Sequence, residues 1–214
     1  MKTYNEWWDT FLENSIIGID QEDVDQNFNE YTDIQIEQLL SDGLTEYIER
    51  NFRQFCQGLI GQYITKPLGM YDTYVTVPAT KENRVATVYN EDGKETPHWY
   101  LGDMAACGGI NSTMDDMLAY TKANYDEKTA VLKRIHQETI KLDDHLSVAY
   151  GWHISKMKNG SNIVWHNGGT YGSRSFCGFV PSSGIMIVIL SNTAISCDEL
   201  AMVIVNKLIS EQQY

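Results

Sequence analysis

Three runs near the C-terminus decide how this chain folds: Asn162-Ile-Val-Trp-His166, Ser173-Arg-Ser-Phe-Cys-Gly-Phe-Val180 and Ile185-Met-Ile-Val-Ile-Leu-Ser191. Each is short, rich in β-branched and aromatic residues and bounded by turn formers, which is the composition of a strand. Pro181 to Gly184 joins the last two as a hairpin. Just upstream, Val148 to Lys156 reads as one strand, and Asn159-Gly160 turns it back into Asn162. Downstream, Ile195 to Ser210 has helical spacing, with Leu200, Val203, Ile204 and Leu208 on one side.

Towards the N-terminus the period changes. Asp126 to Ile140 reads as a helix, and another should start after Gly108-Gly109, capped by Ser112 or Thr113, and run to about Tyr125. Asp115 and Asp116 then sit in its first turn, where a helix favours negative charge. Tyr71 to Pro97 alternates and carries turn formers, so extended segments and loops are expected. Thr32 to Thr65 suits two helices broken near Gly43, the second stopped by Pro67 and Gly69. The first thirty residues read as loop with a short helix at Trp7 to Leu12. These elements predict a single α+β domain over 1–214. The last strands form an antiparallel sheet, with the C-terminal helix on one face and the earlier helices on the other.

Composition excludes several functions. With 43% hydrophobic and 21% charged residues the chain can bury a core. A net charge of −13 repels phosphate backbones and anionic headgroups, so neither nucleic acid nor an acidic membrane surface is an expected partner. The acidic run Asp20, Glu22, Asp23 and Asp25 reads as a solvated loop. Cys56, Cys107, Cys177 and Cys197 have no metal-ligand spacing and read as small buried hydrophobes. His98, His136, His145 and His153 lack zinc spacing and read as surface or packing residues, and no metal or other cofactor is implied. The N-terminus has no signal-peptide apolar core and no run reaches membrane-spanning length, so a cytoplasmic protein is expected from the chain as given.

Four segments, in this order, resemble the β-lactamase-related serine hydrolases, the family of penicillin-binding proteins and class C β-lactamases. They are Pro67 to Thr73 (Pro-Leu-Gly-Met-Tyr-Asp-Thr), Ala105 to Leu118, Tyr150-Gly151-Trp152, and Trp165 to Ser175 followed by Ile189 to Asn192. The resemblance implies a β-lactamase/transpeptidase-like α+β fold whose N-terminal strands and nucleophile helix are missing here. Intact relatives are often exported.

That family's chemistry needs a serine three residues before a lysine at the start of a buried helix, so that one turn sets the amine beside the hydroxyl. It also uses a tyrosine or serine two residues before an asparagine, and a Lys/His-x-Gly on a sheet edge. Only the third is expected here, as His166-Asn167-Gly168. The resemblance makes His166 the basic catalytic-site residue, and Gly168, Gly169, Thr170 and Tyr171 substrate-binding, with the Gly169 N–H one oxyanion donor.

The one Ser-x-x-Lys spacing, Ser155 and Lys158, falls on the expected strand, where residues three apart point to opposite faces. No tyrosine or serine precedes an asparagine by two positions. Asp143-Asp144-His145 falls in a loop and is a weak candidate for a base. The expectation is a family member without autonomous hydrolase activity. The alternatives are half of a split serine hydrolase acting on a β-lactam, D-Ala-D-Ala peptide or ester, and a protein that binds a peptide or acyl ligand. The missing strands imply self-association, or a partner chain that supplies them.

Overall fold

In the computed structural model the described residues are 56–99, 101 and 105–212. The chain divides into Met1–Arg50 and Asn51–Tyr214, and all of them belong to the second unit. The expectations for Trp7 to Leu12, for the acidic run and for the helices upstream of residue 56 lie outside the described residues.

Residues 56–60 are helical and widen into a π-helical turn over Gly61–Thr65 before α1 (Lys66–Leu68). The wide turn precedes Pro67, which cannot donate the next backbone bond. Gly69, at φ 70°, ends the run in the left-handed conformation that glycine adopts without cost. The following segment is mostly irregular, as expected, but contains a 3₁₀ turn at Ala79–Arg84 and the short hairpin β1 (Val88–Tyr89) and β2 (Glu95–Thr96). Asp72 anchors it. Its carboxylate accepts from Arg84 at 2.7 Å and from Lys81, and those two cations hold its pKa down to about 2. Its backbone N–H donates to Asp116 at 2.8 Å.

After α2 (Ala105–Gly108), α3 (Met114–Asp126) begins where the sequence placed it. Thr113 is the N-cap, its hydroxyl accepting from the Asp116 N–H, and Asp115 and Asp116 lie in the first turn. The next helix is shorter than expected: α4 spans Ala130–Ile135, not Asp126 to Ile140. Glu127 takes a left-handed backbone at φ 44° and Thr129 caps a new start, so the two helices are separated by a local break.

Ile140 belongs instead to the sheet. The six strands β3 (Ile140–Lys141), β4 (Leu146–Val148), β5 (His153–Lys156), β6 (Asn162–Gly169), β7 (Arg174–Val180) and β8 (Ile185–Ser191) pair antiparallel in sequence order. The expected single strand from Val148 to Lys156 is two. Gly151, at φ 73°, turns the chain between β4 and β5, so the sheet gains strands the alternation had hidden. Gly160, at φ 88°, closes the hairpin expected at Asn159-Gly160. β7 and β8 match the expected runs to within one residue.

The pleat sends alternate residues to two cores. On one face Ile163, Phe176, Val180, Ile185 and Ile187 pack under α5 (Asp198–Glu211), which contributes Ala201, Val205 and Ile209. On the other, Val164, Cys177 and Phe179 pack with Trp152, and Met117, Tyr120 and Tyr125 of α3 cover them. Cys177 and Cys197 are buried as expected, whereas Cys107 is exposed and Cys56 partly so. Among the described residues no helix is long and apolar enough to cross a membrane.

Candidate functional site

β6 changes character along its length. Ile163 and Val164 are buried, but His166, Gly168 and Gly169 are exposed. The cause is the sheet's outline: β5 pairs with β6 only from Asn162 to Trp165, so among the described residues β6 is bonded from His166 onward on its β7 side alone. The His166-Asn167-Gly168 segment therefore lies on an edge that is free among the described residues, produced inside the sheet where β5 turns away.

His166 stands on the α3 side of β6, directly opposite Cys177 of β7. It borders a cavity of about 300 Å³ with Met117, Tyr120, Trp152 and Ser175. Its ring stacks on His153 at 5.5 Å. Burial, and then the neighbouring His166, lower the pKa of His153. The Cys177 thiol facing His166 went unnoticed in the sequence because the two residues meet only through strand register. Burial pushes its pKa up to about 11, which keeps it protonated at neutral pH.

Gly168 and Gly169 keep this edge bare for concrete reasons. A Cβ on Gly168 would sit 2.8 Å from the Ser175 hydroxyl. One on Gly169 would sit 2.7 Å from Nη1 of Arg174, whose guanidinium lies across the strand and donates to the carbonyls of Thr170 at 2.6 Å and Ser173 at 3.1 Å. The loop between β6 and β7 is closed by the Thr170 N–H donating to the Ser173 carbonyl at 3.0 Å.

Gly169, Thr170 and Tyr171 border a second, open groove of about 540 Å³ with Arg174, Trp99 and the β1–β2 turn at Glu91 and Asp92. Trp99 and Tyr171 meet edge to face at 4.9 Å, and both are exposed. Arg174 pairs with no carboxylate among the described residues, so the groove sets a guanidinium and an aromatic wall beside the acidic β1–β2 turn. The expected site residues are thus divided: His166 faces one cavity, Gly169 to Tyr171 the other, and Gly168 lies between.

The remaining candidates are structural. The Ser155 hydroxyl, on β5, accepts from the Trp165 indole N–H at 2.9 Å, and Lys158 lies past the end of that strand. Asp143 accepts from the backbone of His145 at 2.7 Å and Leu146 at 2.9 Å, so the Asp-Asp-His triplet is the β3–β4 turn. Asn167 points away from His166 and donates to Asp198 of α5 at 2.7 Å. His136 is buried, with Nδ1 2.8 Å from Glu127 and Nε2 3.1 Å from Oδ1 of Asn124. The Asn124 amide N–H donates to the Tyr120 carbonyl, which turns Oδ1 towards the ring. The His136 ring meets Trp152 edge-on at 5.4 Å, bracing the wall of the His166 cavity.

A family model described as Beta-lactamase matches residues 38–203. No curated protein sequence matches the chain. Among solved structures it is similar to a D-alanine carboxypeptidase from Burkholderia cenocepacia at TM-score 0.64 and 20% identity, covering 72% of this chain and 55% of that one. It is similar to a class C beta-lactamase at TM-score 0.61 and 23% identity, over 72% of this chain and 50% of that one. An octameric penicillin-binding protein homologue from Pyrococcus abyssi follows at TM-score 0.63 and 22% identity, over 72% and 37%. The chain spans about half the length of the first two and less of the third.

Proposed function

Because this chain belongs to the β-lactamase family, we propose that it carries the ligand-facing sheet edge of that fold without hydrolytic chemistry of its own. The observation that carries the reading is the fate of its one Ser-x-x-Lys spacing. Ser155 lies on a strand with its hydroxyl held by Trp165, and Lys158 lies in the following turn, so no amine is placed to activate that serine. His166 keeps the position of the family's basic residue. Without an activated serine it can orient a ligand but cannot complete acyl transfer. What remains is a binding edge: the β6 backbone from His166 to Gly169, open on one side among the described residues, and the Arg174 guanidinium beside an aromatic wall. A peptide, β-lactam or ester could lie along this edge, its backbone or carbonyl paired with β6 and its anionic group on Arg174.

The test is catalytic and covalent. The purified chain should neither hydrolyse a chromogenic cephalosporin nor become labelled by fluorescent penicillin. Stoichiometric labelling at one serine, mapped by peptide mass spectrometry, would overturn the proposal, and labelling at Ser155 would overturn the account of β5 as well.

A further inference from the structure

His136 is buried at the C-terminal end of α4, and both of its ring nitrogens face oxygen atoms. Nδ1 lies 2.8 Å from Oε1 of Glu127, and Nε2 lies 3.1 Å from Oδ1 of Asn124. The Asn124 amide is oriented by its own N–H, which donates to the Tyr120 carbonyl at 2.8 Å; turned over, it would set Oδ1 against that carbonyl. An ionised carboxylate accepts only. A neutral imidazole has one N–H for these two acceptors, whereas the doubly protonated ring serves both. Glu127 also has a strained backbone. At φ 44° it is the one non-glycine residue with a positive φ among the described residues, and such a conformation persists where its surroundings hold it. The bond to His136 supplies that hold by joining the two ends of the segment that contains α4.

We propose that the His136 ring is a proton-dependent brace for the wall of the His166 cavity. Charged, it fixes Glu127 and α4 and stands edge-on to Trp152 at 5.4 Å, and Trp152 lines that cavity. Losing one proton leaves a single N–H for two acceptors. Asn124 is 1% exposed and the Glu127 side chain 35%, so the remaining proton serves Asn124 and Glu127 turns to water. The break before α4 is then released, and Trp152 loses a fixed neighbour. The other groups near the ring do not compete for its proton. Tyr120 stacks on Trp152 at 6.3 Å with its pKa raised by burial, and Tyr125 stands edge-on to Phe179 at 6.2 Å. Cys177, also on β7, is held protonated. Lys133 and Arg134 of α4 are exposed, Arg134 lying over the Tyr150 ring and donating to Gln137 at 3.1 Å. Asp126 is paired with Lys122 and Lys128.

NMR on the full chain with isotope-labelled histidine and tryptophan tests this. At about pH 5 both ring nitrogens of His136 should carry protons. As the pH rises to about 8, the proton on Nδ1 should be lost while that on Nε2 remains, and the Trp152 indole signal should shift with the same midpoint. Glu127→Gln gives the discriminating comparison. An amide donates as well as accepts, so a neutral ring keeps both bonds and the Trp152 shift should disappear. His166→Ala should leave the shift in place, which separates the brace from titration of His166 in the same cavity. A bare nitrogen on the His136 ring of the folded chain at about pH 5, or both protons retained at about pH 8, would overturn the proposal. So would a Trp152 signal that does not move, one that moves with the midpoint of His166, or a shift that survives Glu127→Gln.

Discussion

The two faces of the sheet are built from different materials. Under α5 the contacts are mostly aliphatic: Ile163, Val180, Ile185 and Ile187 against Ala201, Val205 and Ile209, with Phe176 stacked on Trp165 among them. Under α3 the contacts are aromatic and hydrogen-bonded: Phe179 and Trp152 meet His136, whose two ring nitrogens are engaged by Glu127 and Asn124. Burial of aliphatic surface is non-directional and sets stability, whereas hydrogen bonds and edge-to-face rings fix orientation. The His166 cavity opens on the second kind of face, where wall positions such as Trp152 are specified one by one. The first kind has surface to spare, and the outer stripe of α5 is its excess.

That contrast can be broken by substitution. Ile163→Ala on the α5 face, at a position with no exposure, should cost about 2–5 kcal/mol in chemical denaturation. It should leave the His166 cavity unchanged. A loss well below that range would mean that the aliphatic face can collapse around a cavity, and is less closely packed than its burial implies.

A smaller effect is expected on the other face. His136→Leu removes a ring engaged at both nitrogens, stranding the buried Oδ1 of Asn124 and, less severely, the partly exposed Glu127 carboxylate. The expected cost is about 1–3 kcal/mol, with a change in Trp152 fluorescence that Ile163→Ala does not produce. Equal spectral responses from the two variants would erase the distinction between the faces.

The smallest effect is kinetic. A maleimide reagent should modify Cys107 first and reach Cys177 only when denaturant opens the fold, because one thiol is exposed and the other is buried and protonated. Site-resolved mass spectrometry follows both. Labelling of Cys177 at the rate of Cys107 would show the α3 face opening to water in the native state.

Local chemistry made much of this legible in advance. Thr113 with Asp115 and Asp116 marks the start of α3, and the runs bounded by Ser173, Pro181 and Gly184 mark β7 and β8, because caps and turns are decided within a few residues. The sheet with helices on both faces followed from the same reading, whereas His166 was singled out only by the resemblance to the serine hydrolases. The break between β4 and β5 did not. Val148 to Lys156 alternates well enough to read as one strand, and only pairing with β3 on one side and β6 on the other requires the turn at Gly151. The division of the expected site residues between two cavities was equally hidden, since it depends on how the β6–β7 loop sits beside Trp99 and the β1–β2 turn.

The sequence by itself determined that the last third of the chain is antiparallel sheet followed by a helix, since strand period, hairpin turns and helix-forming runs are properties of short segments. Only the tertiary structure decided which side of that helix is inside. Ile195 to Ser210 is apolar on more than one side, and its most conspicuous stripe, Leu200, Val203, Ile204 and Leu208, is the more exposed one. The sheet took the stripe headed by Ala201, which has no exposure at all. A small residue lets a helix approach a pleated surface closely, and close packing depends on the partner's shape, which no single segment encodes.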